Sequence, residues 1–268
     1  LRENWSDMAK EHTGSKEHTG DDDPRRSIEL LWGEHAPPKR GPKPRFSTED
    51  VVQAAIAIAD RDGLPAISMR SVAQAVGVSP MAIYTYVRSK SELLALMFDR
   101  VMGEGEELPA GLGWRESLEF MAKARWNLSQ RRPWLLGLAL HRPPLGPNLM
   151  SRIESVMSAL DGLGLTELEK DMLVDVLHNY IEGALHEARE ARDAEQRSGL
   201  TDEQWIAIVE PALQARLDPG RFPHIIKLGE AWREQRHLLT DPGYRFEQGL
   251  QVVLDGIGAF IARRQGER

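Results

Sequence analysis

The stretch Ser68–Lys90 (SMRSVAQAVGVSPMAIYTYVRSK) leaves a chain few ways to fold. Val72, Ala73 and Val76 share one face at helical spacing, and Gly77 follows where a helix must stop; glycine takes the positive φ that such a stop needs. Val78 turns inward, Ser79 stands at the cap of the next helix, and Pro80 occupies its first turn, where no amide hydrogen is missed. In that second helix Ile83 and Val87 form the inner face, while Met81, Tyr84, Thr85 and Arg88 point the other way. Ala73 as the small crossing residue, Gly77 as the turn and Ile83 as the anchor fit a helix-turn-helix.

The outward face joins a methionine, a tyrosine and a threonine, which suits a partner with apolar and polar edges side by side. The major groove of DNA offers thymine methyls, base acceptors and flanking phosphates. An ordinary helical hairpin with a few exposed apolar residues is the alternative. Net charge over the 268 residues is -7, which sits oddly with DNA until it is divided. From Lys39 to Glu92 eight basic residues face five acidic ones, giving +3, so the remainder carries -10. A basic small domain beside an acidic large one fits contact with phosphate at one end only.

Without cysteine there is neither a disulfide nor a thiolate metal site. No apolar run reaches membrane-span length, and the first residues carry no basic-then-apolar signal pattern, so a soluble cytoplasmic protein is expected. Residues 1–38 read as a flexible leader in which E-H-T-G occurs twice, with a short apolar island at 27–32 that needs a docking surface. Lys39, Arg40, Lys43 and Arg45 form a proline-broken basic arm able to follow phosphates or enter a minor groove, or else a plain basic linker. Ser47 then caps a helix carrying Val52, Ala55, Ile56 and Ala59, ended by Gly63. Residues 39–92 are thus expected to form the DNA-binding domain. A fourth helix capped by Ser89 leads through Leu93, Leu94, Met97, Phe98 and Val101 into the rest of the chain.

These motifs, from Ser47 to about Met102, resemble the N-terminal domain of the TetR family of bacterial repressors. Beyond Met102 the resemblance is one of layout, with W-L-L-G-L-A-L and G-P-N-L-M similar to the tetracycline-repressor branch. The resemblance implies a recognition helix at Pro80–Val87 lying in the major groove, with Pro80, Met81, Ala82 and Thr85 nearest the bases. It also implies that Tyr84 and Tyr86 reach phosphates, that Lys90 meets one at the start of the fourth helix, and that Arg70 contacts a base or phosphate. Ser68 and Ser79, at the helix starts, complete the expected DNA-contacting set.

Residues 93–268 read as helix after helix: Trp114–Arg131, Pro133–Leu140, Pro147–Leu160, Glu167 to about Gln196, Trp205–Leu217, Ile225–Gln235 and Tyr244–Arg264. No strand pattern is present, so the fold class is all-α, a three-helix DNA-binding domain plus a larger helical effector and dimerisation domain. The long helix aligns Leu173, Val176, Leu177, Tyr180, Ala184 and Ala188, and the last sets Gly249, Val253, Gly256 and Phe260 together. The resemblance pairs these two helices across a twofold axis in a homodimer; an intramolecular core is the alternative. Arg125, Trp134, His141, His178, Asn179, Glu182, Trp205 and Phe222 are candidates for a small-molecule site, or are satisfied core residues. The functional expectation is a ligand-responsive regulator, a repressor binding double-stranded operator DNA and released by a small-molecule effector, with no cofactor and no membrane. The rival is an enzyme of acid/base or metal type built on the acidic half, where His178, Glu182 and His186 recur at i, i+4, i+8. Against it, the chain has no phosphate-cradling glycine loop, no nucleophile elbow and no H-E-x-x-H.

Overall fold

A computed structural model describes residues 17–18, 24–33, 46–140 and 142–266. The E-H-T-G repeats fall mostly, and the basic arm wholly, outside the described residues, as does His141. The chain forms two compact units. One takes the residues up to Glu107 together with Asn127–Ser155; the other takes Leu108–Trp126 together with Val156–Arg268.

In the first unit, α1 (Pro24–Leu31) precedes α2 (Thr48–Asp62), α3 (Met69–Val76), α4 (Pro80–Ile83) and α5 (Lys90–Met102). The helix starts follow local chemistry. The Ser47 hydroxyl accepts the Asp50 amide while the Asp50 carboxylate accepts that of Ser47, a reciprocal capping box. Ser68 and Ser71 do the same at α3, and the Ser89 hydroxyl accepts the Glu92 amide at α5. Gly77 is left-handed, φ 78°, and its amide returns to the Ala73 and Gln74 carbonyls.

The core of this unit runs from Val51 and Val52 on α2 through Val72, Ala73, Ile83 and Val87 to Leu94, Phe98 and Val101 on α5. It also takes Leu128, Trp134, Leu135 and Leu138 from the later segment. That segment departs from the expected helix over Pro133–Leu140. It is a 3-10 turn, Pro133–Gly137, followed by a two-residue strand β2 (Leu138–Ala139) paired in parallel with β1 (Glu17–His18). Trp134, Leu135 and Leu136 are all buried in succession, which a one-faced α-helix does not allow. This two-residue ladder is also the exception to the expectation of no strand.

The second unit contains the first part of α6 (Trp114–Arg131), the end of α7 (Pro147–Ala159), α8 (Glu167–Ser198), α9 (Asp202–Gln214), α10 (Pro223–Leu239, interrupted at Gln235) and α11 (Pro242–Gly266). Helices α8 and α11 pack along one another. Leu173, Leu177, Ile181, Leu185 and Ala188 meet Phe246, Leu250, Leu254, Ile257 and Ile261. The buried stripe of α8 is therefore rotated from the expected one, with Ile181 and Leu185 inward and Val176 outward. Helix α6 joins this pair through Trp126, stacked on Phe246 at 4.3 Å, and through Arg115, 2.7 Å from Asp255. Lys170 is buried at the start of α8 and paired with Asp161 at 2.5 Å and Glu167 at 2.8 Å, which raises its pKa.

Candidate functional site

Helix α4 is one turn long and has no stability of its own. It is held because Ile83 and Val87 are fully buried, each worth about 1.5–3 kcal/mol. With that anchor inward, the opposite face is presented to solvent: Met81 is 75% exposed and Tyr84 44%. Pro80, Thr85, Arg88 and, on α3, Arg70 are exposed with them, and Ala82 is half-buried beside Met81. The regular helix ends at Ile83, earlier than the expected Val87. The Thr85 hydroxyl donates to the Ala82 carbonyl at 2.6 Å, and the Thr85 and Tyr86 amides bond three residues back, tightening the last turn.

Three hydroxyls of the expected DNA-contacting set have distinct surroundings. Ser79 stands at the N-cap position of α4, but its hydroxyl makes no capping bond there. The Tyr86 hydroxyl donates to the Phe46 carbonyl at 3.2 Å, and its ring lies 4.6 Å from that of Phe46. The Ser68 hydroxyl is engaged in the α3 capping box. Lys90 is the first residue of α5, next to the cap Ser89, at a terminus whose amides suit an anion.

The residues grouped in the sequence as a ligand site fall in separate places. Arg125 and Glu182 do meet, at 2.7 Å, inside the second unit. His178 and Asn179 are exposed on α8, and Asn179 lines a different depression with Tyr180, Gly183 and Gly249. Trp134 belongs to the core of the first unit, where its indole N–H donates to Asp60 at 2.7 Å. Arg132 adds ion pairs to Glu104 at 2.8 Å and, more loosely, to Asp60 at 3.7 Å in the same place. Phe222 is half-buried ahead of α10, with the Arg221 guanidinium 5.1 Å from its ring centre. Trp205 alone of the set lines a cleft of about 440 Å³ between α9 and α10, opposite Trp232, Ile225 and Leu228 and beside an Arg233–Glu210 pair at 2.6 Å. The sequence carried a signal for it that was missed: Ile225, Leu228 and Trp232 recur at i, i+3, i+7.

The candidates for a dimer face divide as well. Tyr180 and Gly249 meet within one chain; a Cβ at Gly249 would lie 2.4 Å from the Tyr180 hydroxyl, which donates to the Phe246 carbonyl at 2.6 Å. Ala184 is half-buried in the same depression. Gly256 is exposed with nothing within 4 Å of where a Cβ would stand, Val253 is half-buried, and Phe260 lies under the guanidinium groups of Arg263 and Arg264. Val252, 71% exposed, was not singled out from the sequence. The enzyme alternative loses Glu182 to Arg125, and among the described residues no three acidic or histidine side chains converge on a metal position. Among them, too, no helix is long and apolar enough to cross a membrane.

Residues 51–97 match the model of the bacterial regulatory proteins of the tetR family, and residues 108–261 match the tetracyclin repressor-like C-terminal domain. The chain is 40% identical over 258 residues to the HTH-type transcriptional repressor DrrR1 of Streptomyces coeruleorubidus, covering 95% of this chain and 93% of that one. It is 33% identical over 224 residues to an HTH-type transcriptional regulator of Saccharopolyspora erythraea, covering 81% and 86%. Among solved structures it is similar to the TetR family protein ActR of Streptomyces coelicolor in complex with actinorhodin, with TM-score 0.68, 27% identity and 80% and 96% of the two chains covered. The exposed reading face on a buried anchor and these matches along both parts of the chain lead to one conclusion: the protein belongs to the TetR family of transcriptional regulators, DNA-binding proteins rather than enzymes.

Proposed function

We propose that the protein is a cytoplasmic, homodimeric repressor that holds operator DNA through its first unit and lets go when an apolar organic molecule binds its second. The observation that carries the reading is the pairing of Met81, Tyr84, Thr85 and Arg70 outward with Ile83 and Val87 buried beneath. In this assignment Met81 and Ala82 give apolar contact to bases, Arg70 and Thr85 give hydrogen bonds, and Ser79, Tyr84 and Lys90 take phosphates. Lys39, Arg40, Lys43 and Arg45 add charge from the arm. Residues 39–92 are assigned to DNA and 93–268 to effector and dimer.

Two helical-hairpin arms of one dimer read half-sites one DNA turn apart. The face assigned to the second copy combines Met172, Val176, Asn179 and Gly183 of α8 with Gly249, Val252 and Gly256 of α11. The α8 series steps by four, three and four residues and the α11 series by three and four, so each stays on one side of its helix. The effector is assigned to the α9–α10 cleft, whose volume lies in the range of small-molecule sites and whose walls are apolar with one ion pair at the side. That ActR has been solved with actinorhodin and with (S)-DNPA supports an organic effector of this kind. Regulation is then a coupling free energy between the two sites.

The test is binding to a duplex from upstream of the protein's own gene against a random duplex, over a salt series. Arg70→Ala and Tyr84→Ala are expected to weaken the first by about 10- to 100-fold and to leave unfolding unchanged. Adding actinorhodin as a probe is expected to quench tryptophan emission in the wild type, less in Trp232→Phe, and to release DNA. A folded dimer that binds neither duplex at low salt would sink the reading.

A further inference from the structure

Helix α1 lies upstream of the family match and has no part in the reading above, yet it is bound to the base of the DNA-reading helices. Its face of Ser27, Leu30 and Leu31 is buried and it packs on α5, while the Trp32 indole N–H donates to the Leu145 carbonyl at 3.0 Å. Eight residues do not hold a helix in water unaided, so this docking is what makes α1 a helix. At its start, Arg26 Nε donates to Glu92 Oε1 at 2.7 Å. The other oxygen of the same carboxylate, Oε2, accepts the backbone amide of Arg88 at 2.7 Å. Glu92 is almost fully buried. Arg88 is the residue at which the chain leaves the recognition turn, and two residues on, Lys90 opens α5.

We propose that Arg26 is a positioning residue for operator binding: through Glu92 it fixes the Arg88 amide and with it the angle between the recognition turn and α5. A buried carboxylate with one oxygen on an amide and the other on a guanidinium is satisfied on both sides. Without Arg26 the charge is left uncompensated, and Glu92 must turn toward solvent, releasing Arg88. The recognition turn has one helical turn and two buried anchors to hold its orientation, so loss of this third tie tilts the face that reads bases. Phosphate attraction, which tolerates small tilts, is affected far less.

This inference rests on the operator-binding reading, and the wild type in the same assay separates the two. If the wild type does not bind the upstream duplex, that reading fails; if it binds and the variants below bind equally, only this inference fails. Arg26→Met is expected to weaken binding to the upstream duplex on the order of tenfold and to change binding to a random duplex less than about twofold. The salt slope is expected to stay that of the wild type; a slope reduced by about 1 would mean that Arg26 neutralises a phosphate itself and would overturn the positioning role. Two double variants guard against simple misfolding. In Arg26→Met with Glu92→Gln, a neutral acceptor remains for Arg88 and specific binding is expected to return. In Arg26→Met with Glu92→Met, apolar packing restores the melting temperature but the acceptor is gone, so specific binding stays low. Equal specific binding by the two double variants would overturn the proposal.

Discussion

The two units differ in how they treat their apolar side chains. In the first, a continuous core runs from α2 to α5 and takes in Leu128–Leu138, and among the described residues the most exposed large apolar one is Met81 on the reading face, with Trp32, Leu145 and Tyr84 next. In the second, Leu168, Met172 and Val176 on α8, Ile208 on α9, Leu228 on α10 and Val252 on α11 are all open to solvent in one chain. A folded monomer seldom leaves that much apolar surface in connected patches unless something covers it. The first unit buries most of its apolar side chains in its own core, and its reading face is the one proposed to meet a wet, charged polymer. On the proposed reading the second is completed from outside, by a copy of itself and by a small molecule.

The sharpest way to break this contrast is to place the same charge on each surface. Val252→Glu is expected to convert a dimer to a monomer in sedimentation velocity and to cost operator affinity about 100-fold or more, since two linked half-site contacts become independent. Met81→Glu is expected to lose operator binding with the sedimentation coefficient unchanged. A Val252→Glu protein that stays dimeric would show that the exposed α11 face is not where copies meet. Next in size is the core of the first unit. Trp134→Phe keeps a ring but removes the bond to Asp60, and a cost of about 1.5–3 kcal/mol is expected in urea unfolding. Asp60→Asn, which keeps an acceptor, is expected to cost less; equal costs would mean that charge rather than the bond matters.

The smallest effect concerns acid. Hydrogen bonds from the Ser47 side chain, then from its backbone, hold the Asp50 carboxyl below its usual range. At Glu49 burial pushes the pKa up, but bonds from Gln53 and Arg100 outweigh it and the net shift is down. A lowered folded pKa means stability present above the unfolded value of about 4 and lost as pH falls through the folded one. The stability advantage of the wild type over Asp50→Asn is therefore expected to be full at pH 7 and to shrink progressively as pH falls below about 4, read from urea midpoints. A pH-independent difference would remove the carboxylate from the account.

What could be read from the sequence was what neighbouring residues decide. Ser47, Ser68, Ser89 and Gly77 act within four residues of themselves, and each sits at its helix end as expected; the Thr166 box at the start of α8 is equally local but was not singled out from the sequence. What could not be read depended on distant partners. Trp134 went with the effector half because nothing local shows that its indole faces Asp60 across 74 positions. Val176 and Ile181 exchanged faces on α8 because a 32-residue helix with scattered apolar residues offers more than one stripe. Tyr86 and Tyr84 look alike in sequence; only the Phe46 carbonyl tells them apart. The family resemblance supplied the architecture of the reading head, and said nothing of Arg26 and Glu92.

The segment from Leu128 to Leu138 that closes the core of the first unit also sets a schedule for its synthesis. By the time Met102 leaves the ribosome, every helix of the reading head has been made, yet the apolar surface beneath it is uncovered. At roughly 5–20 residues per second, several seconds pass before Trp134 and Leu138 follow. A nascent chain in that interval carries the reading face on an open core, so premature termination between these points is expected to give a fragment prone to aggregate rather than an unregulated DNA binder.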